Sequence, residues 1–246
     1  MNRLLSQTFK IIVLLGLNLY LNQTHAITLF GDGFEDKIYL NDTGITWGGD
    51  YSAGNNTTYT SNITSPQDCN QGRDATHNDD SDGHAGFSFT KLDQFGNPLA
   101  ASATSWSCVR DNVTGMVWEV KTTDGSIHDK NNTYRWGGIT HLGSNFGTYY
   151  NDWDVLVNGT NSESLCGFND WRVPNTTELM SIVDNSVYNP SIDINYFPNT
   201  NSFYFWSASP RASHTGSAWY IDFYYGLSFS SDRYFYRSVR LVRFGQ

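Results

Sequence analysis

Hard-oxygen side chains crowd one short run, Asn78-Asp79-Asp80-Ser81-Asp82-Gly83. Asn78, Asp80 and Asp82 hold its first, third and fifth positions, and Gly83 follows. That order resembles the opening of a calcium loop, where oxygen ligands converge on the ion and glycine makes the sharp turn. The bidentate acid expected at the twelfth position is replaced by Phe89, and a solvated acidic turn accounts for the same residues. Asn78, Asp80 and Asp82 are therefore carried forward as candidate calcium ligands only. His77 and His84 flank the run and would allow a mixed imidazole and carboxylate site, although two histidines in a polar loop are ordinarily just exposed.

Nothing in the chain supplies a catalytic motif: there is no HExxH, GxSxG or CxxC and no phosphate-cradling glycine loop. Cys166 with a nearby histidine would make a nucleophile, but an exported thiol is ordinarily structural. Carboxylates are abundant, yet no spacing singles out a pair for glycoside hydrolysis. The sequence therefore names no catalytic residue, and a non-enzymatic role is expected. Three cysteines, Cys69, Cys108 and Cys166, allow one bridge and one thiol left over. Nothing local fixes the pairing.

A different chemistry stands near the end of the chain. The stretch YYGLSFSSDRYFYRSVRLVR, from Tyr224 to Arg243, has six Tyr or Phe among its first thirteen residues, interleaved with Ser, Asp and Arg. Aromatic rings stack on sugars or bury at protein contacts while flanking polar groups fix orientation. Tyr220, Asp222, Tyr224, Arg233, Tyr234 and Tyr236 are the candidate ligand-binding residues. Most of the tryptophans at 106, 118, 136, 171, 206 and 219 are expected to pack in the core, given the area each can bury.

These side chains must be held by mostly extended elements. Short apolar pieces such as KIYL and GITW sit among Gly, Asn, Asp, Thr and Ser between Asp32 and Gly86 and read as short strands joined by polar turns. FSFTKLD and MVWEVK read as further strands, the second entered by a turn through Asp111, Asn112 and Gly115. VPNTTELMSIVDNS is the best helix: Pro174 precedes it, Asn175 can cap, Glu178 completes a capping box, and Leu179, Ile182 and Val183 share one face. A weaker helix is expected within Trp153 to Leu165, around Gly159. In WYIDFYY, alternation predicts Trp219, Ile221, Phe223 and Tyr225 on one face and Tyr220, Asp222 and Tyr224 on the other. Gly226 permits a turn, and SVRLVRF closes the chain as a strand. Strands, two central helices and more strands predict an α+β fold.

Export is written at the start. Arg3 and Lys10, the apolar run from Ile11 to Leu21 and Thr24-His25-Ala26 form a signal-peptide pattern over residues 1–26. The run is about half the roughly 20 residues that a bilayer span needs, so no stable membrane insertion is expected after cleavage. The mature chain would carry 13 basic against 24 acidic residues, a formal charge of −11. Nucleic acid and anionic lipid, both attracted by basic patches, are poor partners for such a chain.

The blocks CVRDNVTGMVWEVKTTDG, CGFNDWRVPNTTELMSIVDNSVYNPSIDINYFPNT, YFWSASP, AWYIDFYYG and YRSVRLVRFGQ resemble, in order, those of the Lcl C-terminal domain family, named for a bacterial collagen-like adhesin. They assign residues 105–246 to such a domain and residues 27–104 to a Gly/Asn/Asp-rich region with short strands. The upstream DTGITWGGDY and QDCNQGRDATHNDDSDGHAGFSFTKLD resemble the leader region of a subgroup of exported members. The resemblance implies a C-type-lectin-like fold, a twisted antiparallel sheet with two helices and many loops, whose late strands and loops present ligands. The family's named member binds sulfated glycosaminoglycans and forms trimers, so a homo-oligomer is an implied arrangement here. An acidic chain without a collagen-like repeat departs from that pattern. Related members often carry a further cysteine upstream of the one in CGFNDW. NDWDVLVNGTNSES has none, which implies a Cys69–Cys108 bridge with Cys166 left over. The expectation is an exported bacterial binding module for a glycan or a surface protein, in adhesion or cell-surface interaction, outside the cell or in the periplasm. The alternative is a structural envelope or matrix protein acting by self-assembly.

Overall fold

Two antiparallel sheets carry the chain's alternating segments, and their pairing follows chain order almost throughout. The computed structural model describes residues 41–50, 54–55, 67–77, 79–141 and 150–244, all within a compact unit that spans Tyr39–Gln246. The expected signal peptide and the KIYL strand lie outside the described residues. A two-residue pair, β1 (Gly49–Asp50) with β2 (Gly54–Asn55), and a single-turn helix α1 (Asp68–Gln71) come first. GITW does not form the expected strand. Gly44 takes a left-handed φ of +80°, and the segment is held by the bond from Asn185 N–H to the Thr43 carbonyl instead.

The first sheet has the order β3 (Phe89–Leu92), β4 (Cys108–Asp111), β5 (Met116–Glu119), β9 (Val242–Phe244), with every neighbour antiparallel. The turn between β4 and β5 uses the chemistry read from the sequence. The Asp111 carboxylate accepts from Val113 N–H at 2.9 Å and from the Thr114 hydroxyl at 2.6 Å, and Gly115 supplies the positive φ. The closing strand is shorter than SVRLVRF, because Ser238 bridges to Phe205 and Arg237 to Tyr134 before the chain reaches β5. The second sheet is β6 (Tyr204–Pro210), β7 (Ser217–Asp222) and β8 (Leu227–Asp232), with a register irregularity between Trp206 and Pro210.

Both expected helices form. Helix α2 (Asp154–Glu163) runs through Gly159 without a break and buries Leu156, Val157 and Thr160. Helix α3 (Thr176–Met180) is only five residues long, but its capping box is complete: Asn175 accepts from Glu178 N–H, and the Glu178 carboxylate accepts from Asn175 N–H. Arg172 locks the same carboxylate with two bonds of 2.7 Å. The fold is α+β.

Two apolar clusters form the core. One gathers Phe89, Trp118, Leu179, Phe197, Phe205, Ile221 and Phe223; the other gathers Trp136, Trp153, Leu156, Trp171, Trp206 and Leu241. Trp118, Trp136, Trp171 and Trp206 are fully buried, whereas Trp106 and Trp219 are half-buried. The disulfide corrects the expected pairing. Cys108 on β4 bonds Cys166 after α2, and Cys69 is the free, buried thiol. Cys108 and Cys166 belong to the second cluster beside Trp171 and Val117, while Cys69 sits on α1. Closing a span of 58 residues stabilises the fold by about 4 kcal/mol through the entropy it removes from the unfolded chain.

The alternation expected of WYIDFYY holds only as far as the strand. Ile221 and Phe223 are buried, but β7 ends at Asp222 and the chain turns, leaving Tyr225 exposed. Asp222 is itself buried, because its carboxylate accepts from Tyr224 N–H at 2.8 Å and its carbonyl from Gly226 N–H at 2.8 Å.

Candidate functional site

The second sheet brings aromatic side chains together by register. Trp206 faces Tyr220, Tyr220 faces Phe229, and both Tyr204 and Leu227 face Asp222. Residues two apart on a strand share a face, so Tyr204, Trp206, Tyr220, Leu227 and Phe229 line one side of the sheet. Trp206 is the buried floor, with its indole N–H donated to the Tyr134 carbonyl at 3.0 Å. Tyr204, Leu227 and Phe229 remain exposed. The rings meet in sequence: Tyr204 lies 5.0 Å from Tyr220, and Tyr220 lies 6.0 Å from both Trp206 and Phe229.

Arg237 caps this face. Its backbone is fixed by two hydrogen bonds with Tyr134, of 2.8 and 3.0 Å, in the stretch that leads into β9. The guanidinium stands 3.9 Å from the Tyr220 ring centre, 4.5 Å from Tyr204 and 5.0 Å from Trp206, distances at which the ring quadrupoles attract it. Burial pulls its pKa below the usual arginine value, while Tyr220, Tyr204 and Asp222 oppose the shift. Its Nε is buried with no hydrogen-bond partner. Beside it opens a cleft of about 340 Å³ lined by Thr133, Asn201, Phe203, Tyr204, Tyr236 and Arg237. Phe203, 64% exposed, and Tyr236, 61% exposed, form its apolar rim. Rigid rings with open faces, amide side chains and a partly desolvated cation make a surface suited to recognition.

The six ligand-binding candidates are divided by this arrangement. Tyr220 is the centre of the ring cluster and Tyr236 edges the cleft. Tyr234 is exposed and packs on Phe235 at 4.4 Å. Tyr224 belongs to the far end of the β7–β8 hairpin, beside Tyr188 and Tyr225. Asp222 serves the turn described above. Arg233 is 3% exposed and lies over Trp136 at 4.1 Å, with its Nε donated to the Ser217 carbonyl. Neither Asp222 nor Arg233 presents a free side chain to a ligand. Sequence reasoning missed Arg237, Tyr204 and Phe203. A signal for Tyr204 exists in the FYFW run of residues 203–206, where alternation sets Tyr204 and Phe205 on different faces but does not say which face is open.

The carboxylates of the acidic loop are engaged by neighbouring main-chain and side-chain donors. Asp80 accepts from Ala85 N–H at 2.9 Å, and Asp82 accepts from the Ser88 hydroxyl at 2.5 Å. Asn78 lies outside the described residues. His84 stands 3.9 Å from Asp80, and both are partly exposed. Among the described residues, no three His, Cys, Asp or Glu side chains converge as a metal-holding group. No helix among them is long and apolar enough to cross a membrane.

No curated protein and no solved structure matches the chain at a significant level. The Lcl C-terminal domain matches residues 107–243, from just before β4 into β9, and so takes in the second sheet, the Arg237 face and the disulfide. A match over more than half of its length places this chain in the Lcl C-terminal domain family, a group of adhesin-type binding domains.

Proposed function

We propose that the protein is an exported bacterial binding module, without catalytic activity, that recognises a glycan through the face capped by Arg237. The observation that carries this reading is the conjunction of Arg237, stacked on Tyr220 and Tyr204, with a cleft whose rim is formed by exposed Phe203 and Tyr236. A sugar ring presents an apolar side to such aromatics and hydroxyls to Asn201, Asn131 and Thr133, which also line the cleft. The two antiparallel sheets and two helices support kinship with C-type-lectin-like folds, whose late strands and loops present ligands. A surface protein is the other partner class this face would suit.

Glycan-array screening followed by calorimetry on the best ligand tests the reading. Replacing Tyr204 and Tyr236 together with Ala removes two ring contacts, each worth about 1–2 kcal/mol at an interface hot spot, and is expected to weaken binding at least tenfold. Tyr224→Ala, at the far end of the hairpin, is expected to leave affinity unchanged. Undiminished binding by the double variant would overturn the assignment of this face. A self-assembly reading draws on one observation: β8 is the edge strand of its sheet and exposes Leu227 and Phe229. Sedimentation across a concentration series tests it, and a strictly monomeric chain removes it.

A further inference from the structure

A second cavity, of about 650 Å³, opens where the acidic loop faces residues 101–106 and the turn at 193–196, and it shares no residue with the cleft beside Arg237. Lys91 is the cation of its wall. It is 6% exposed, donates to the Ala101 and Ala103 carbonyls at 2.8 and 2.9 Å, and holds its nitrogen 3.7 Å from the centre of the Trp106 ring. Two carbonyls and a ring face account for the three N–H groups of an ammonium, so none is left for an anionic ligand. Trp106 is fixed in turn, its indole N–H donated to the Tyr196 carbonyl at 2.9 Å.

What stays open toward the cavity accepts hydrogen bonds and carries negative charge. Asp193 takes the Asn195 N–H at 2.9 Å on one oxygen, and its other oxygen has no donor among the described residues. Asp80 takes the Ala85 N–H at 2.9 Å, with His84 3.9 Å from the same oxygen, and its second oxygen is likewise free. Neither carboxylate pairs with a lysine or arginine among the described residues. Burial raises the Asp193 pKa, and neither its bonds to Asn195 nor the charge of His84 offsets the rise. Tyr196 lines the same cavity at 5% exposure, and its hydroxyl makes no hydrogen bond among the described residues, although the charges of Asp82 and Asp193 reach it. A phenol buried to that extent ordinarily finds a partner.

We propose that this cavity binds an amino sugar whose protonated amine is held by Asp193, with Asp80 adding its charge, and whose hydroxyls meet Tyr196, Thr104 and Asn195. A cation rich in N–H donors complements free carboxylate oxygens, and a half-desolvated carboxylate without a counter-charge gains most from it. The hydroxyl and amide groups of Tyr196, Thr104 and Asn195 both donate and accept, as the hydroxyls of a sugar ring do. A cavity of about 650 Å³ has the width for such a ring, whereas a lysine side chain from another protein would need only a narrow apolar sleeve. An N-acetylated sugar brings no charge and leaves the carboxylates unmatched. The site stands independently of the recognition proposed for the Arg237 face.

The test follows the Trp106 indole resonance by NMR while the full chain is titrated with glucosamine and, separately, with N-acetylglucosamine and Nα-acetyl-lysine amide. A saturable shift with glucosamine is expected, with binding at least tenfold weaker for the other two. Asp193→Asn keeps the shape and an acceptor for Asn195 and is expected to weaken glucosamine at least tenfold without lowering the melting temperature. Asp80→Asn, at a partly exposed position, and Tyr196→Phe, which removes only the hydroxyl, are each expected to weaken it several-fold. The Tyr204 and Tyr236 double alanine variant is expected to bind as the wild type does. Absence of a saturable shift with glucosamine overturns the proposal, and so does equal binding of N-acetylglucosamine, which would make the ligand a neutral sugar. Binding of the lysine derivative as tightly as glucosamine, glucosamine affinity unchanged in both aspartate variants, or its loss in the Tyr204 and Tyr236 variant instead, overturns it equally.

Discussion

The polar knot around His128 makes the pH dependence of folding predictable. Glu119, fully buried at the end of β5, accepts from Lys121 Nζ at 2.8 Å, His128 Nδ1 at 2.7 Å and Leu241 N–H at 2.8 Å. The other nitrogen of His128 meets Glu163, the last residue of α2. Arg240, donating to the Glu119 carbonyl at 2.6 Å, and Asp129, whose charge reaches Lys121, are further charges at this junction. Both partners of the imidazole are acceptor-only carboxylates, so both of its nitrogens carry protons and the ring is cationic. Burial lowers the His128 pKa, but the hydrogen bonds and charges of Glu119 and then Glu163 outweigh it, and the net shift is upward from 6.5. A raised folded-state pKa means that the stabilisation is full below the unfolded value of 6.5 and is lost as pH rises through the folded one.

Glu119 behaves in the opposite sense. Burial raises its pKa, yet Lys121 first and His128 second outweigh it and hold it at about 2, below its ordinary value of 4.5. Its contribution, on the order of 3 kcal/mol, is present above pH 4.5 and lost as pH falls toward 2. Stability from this knot therefore peaks between the two unfolded values. Removing His128 from a buried charge pair costs about 3–5 kcal/mol in general. The lower end applies to His128→Gln, since Glu119 keeps Lys121 and the Leu241 amide. Urea unfolding at intervals from pH 5 to 8.5 is expected to show the wild type losing stability on the alkaline side and His128→Gln lower throughout, with that slope flattened. Wild-type stability that is level across this range, or an alkaline slope that persists in the variant, would refute the reasoning.

The corrected disulfide gives a sharper expectation than three cysteines alone. Cys166→Ser is expected to cost about 4 kcal/mol in urea unfolding, whereas Cys69→Ser changes little and Cys69 reacts with a thiol reagent only after denaturation, its thiol being buried and its pKa raised by burial and by Asp74 and Asp68. Asn175→Ala removes the acceptor for Glu178 N–H and is expected to cost about 1 kcal/mol. A cost near zero would show that packing of Leu179 alone holds α3.

Local signals were legible where local chemistry decides. The Asp111–Gly115 turn, the Asn175–Glu178 box and the Gly226 turn each depend on residues within five positions, and each formed as read. The Cys108–Cys166 bond was not legible, because it depends on β4 and the end of α2 entering one cluster across 58 residues. The burial of Asp222, on the Tyr220 face where alternation puts it, was hidden for a similar reason. Period-two alternation places a side chain on a face but is silent on where the strand stops, and the turn that begins at Asp222 uses its carboxylate.

The arginines near the end of the chain show most clearly what spacing could not tell. In sequence, Arg211, Arg233, Arg237, Arg240 and Arg243 gather locally on an acidic chain, the last four within eleven residues. In the fold three are withdrawn separately: Arg233 onto Trp136, Arg240 onto the Glu119 carbonyl and Thr200, Arg243 onto Asp170 and Phe168. Arg233, Arg237 and Arg240 each keep one buried guanidinium nitrogen without a partner, and of these Arg237 lines the open cleft beside Tyr204 and Tyr236. A polyanion is held by many cations at once and its binding collapses with salt; one arginine stacked among rings offers neither the charge density nor that sensitivity. The recognition proposed for this face therefore rests on ring contact and a single oriented cation, and the affinity it predicts is set by how well a ligand fits between Phe203, Tyr204 and Tyr236.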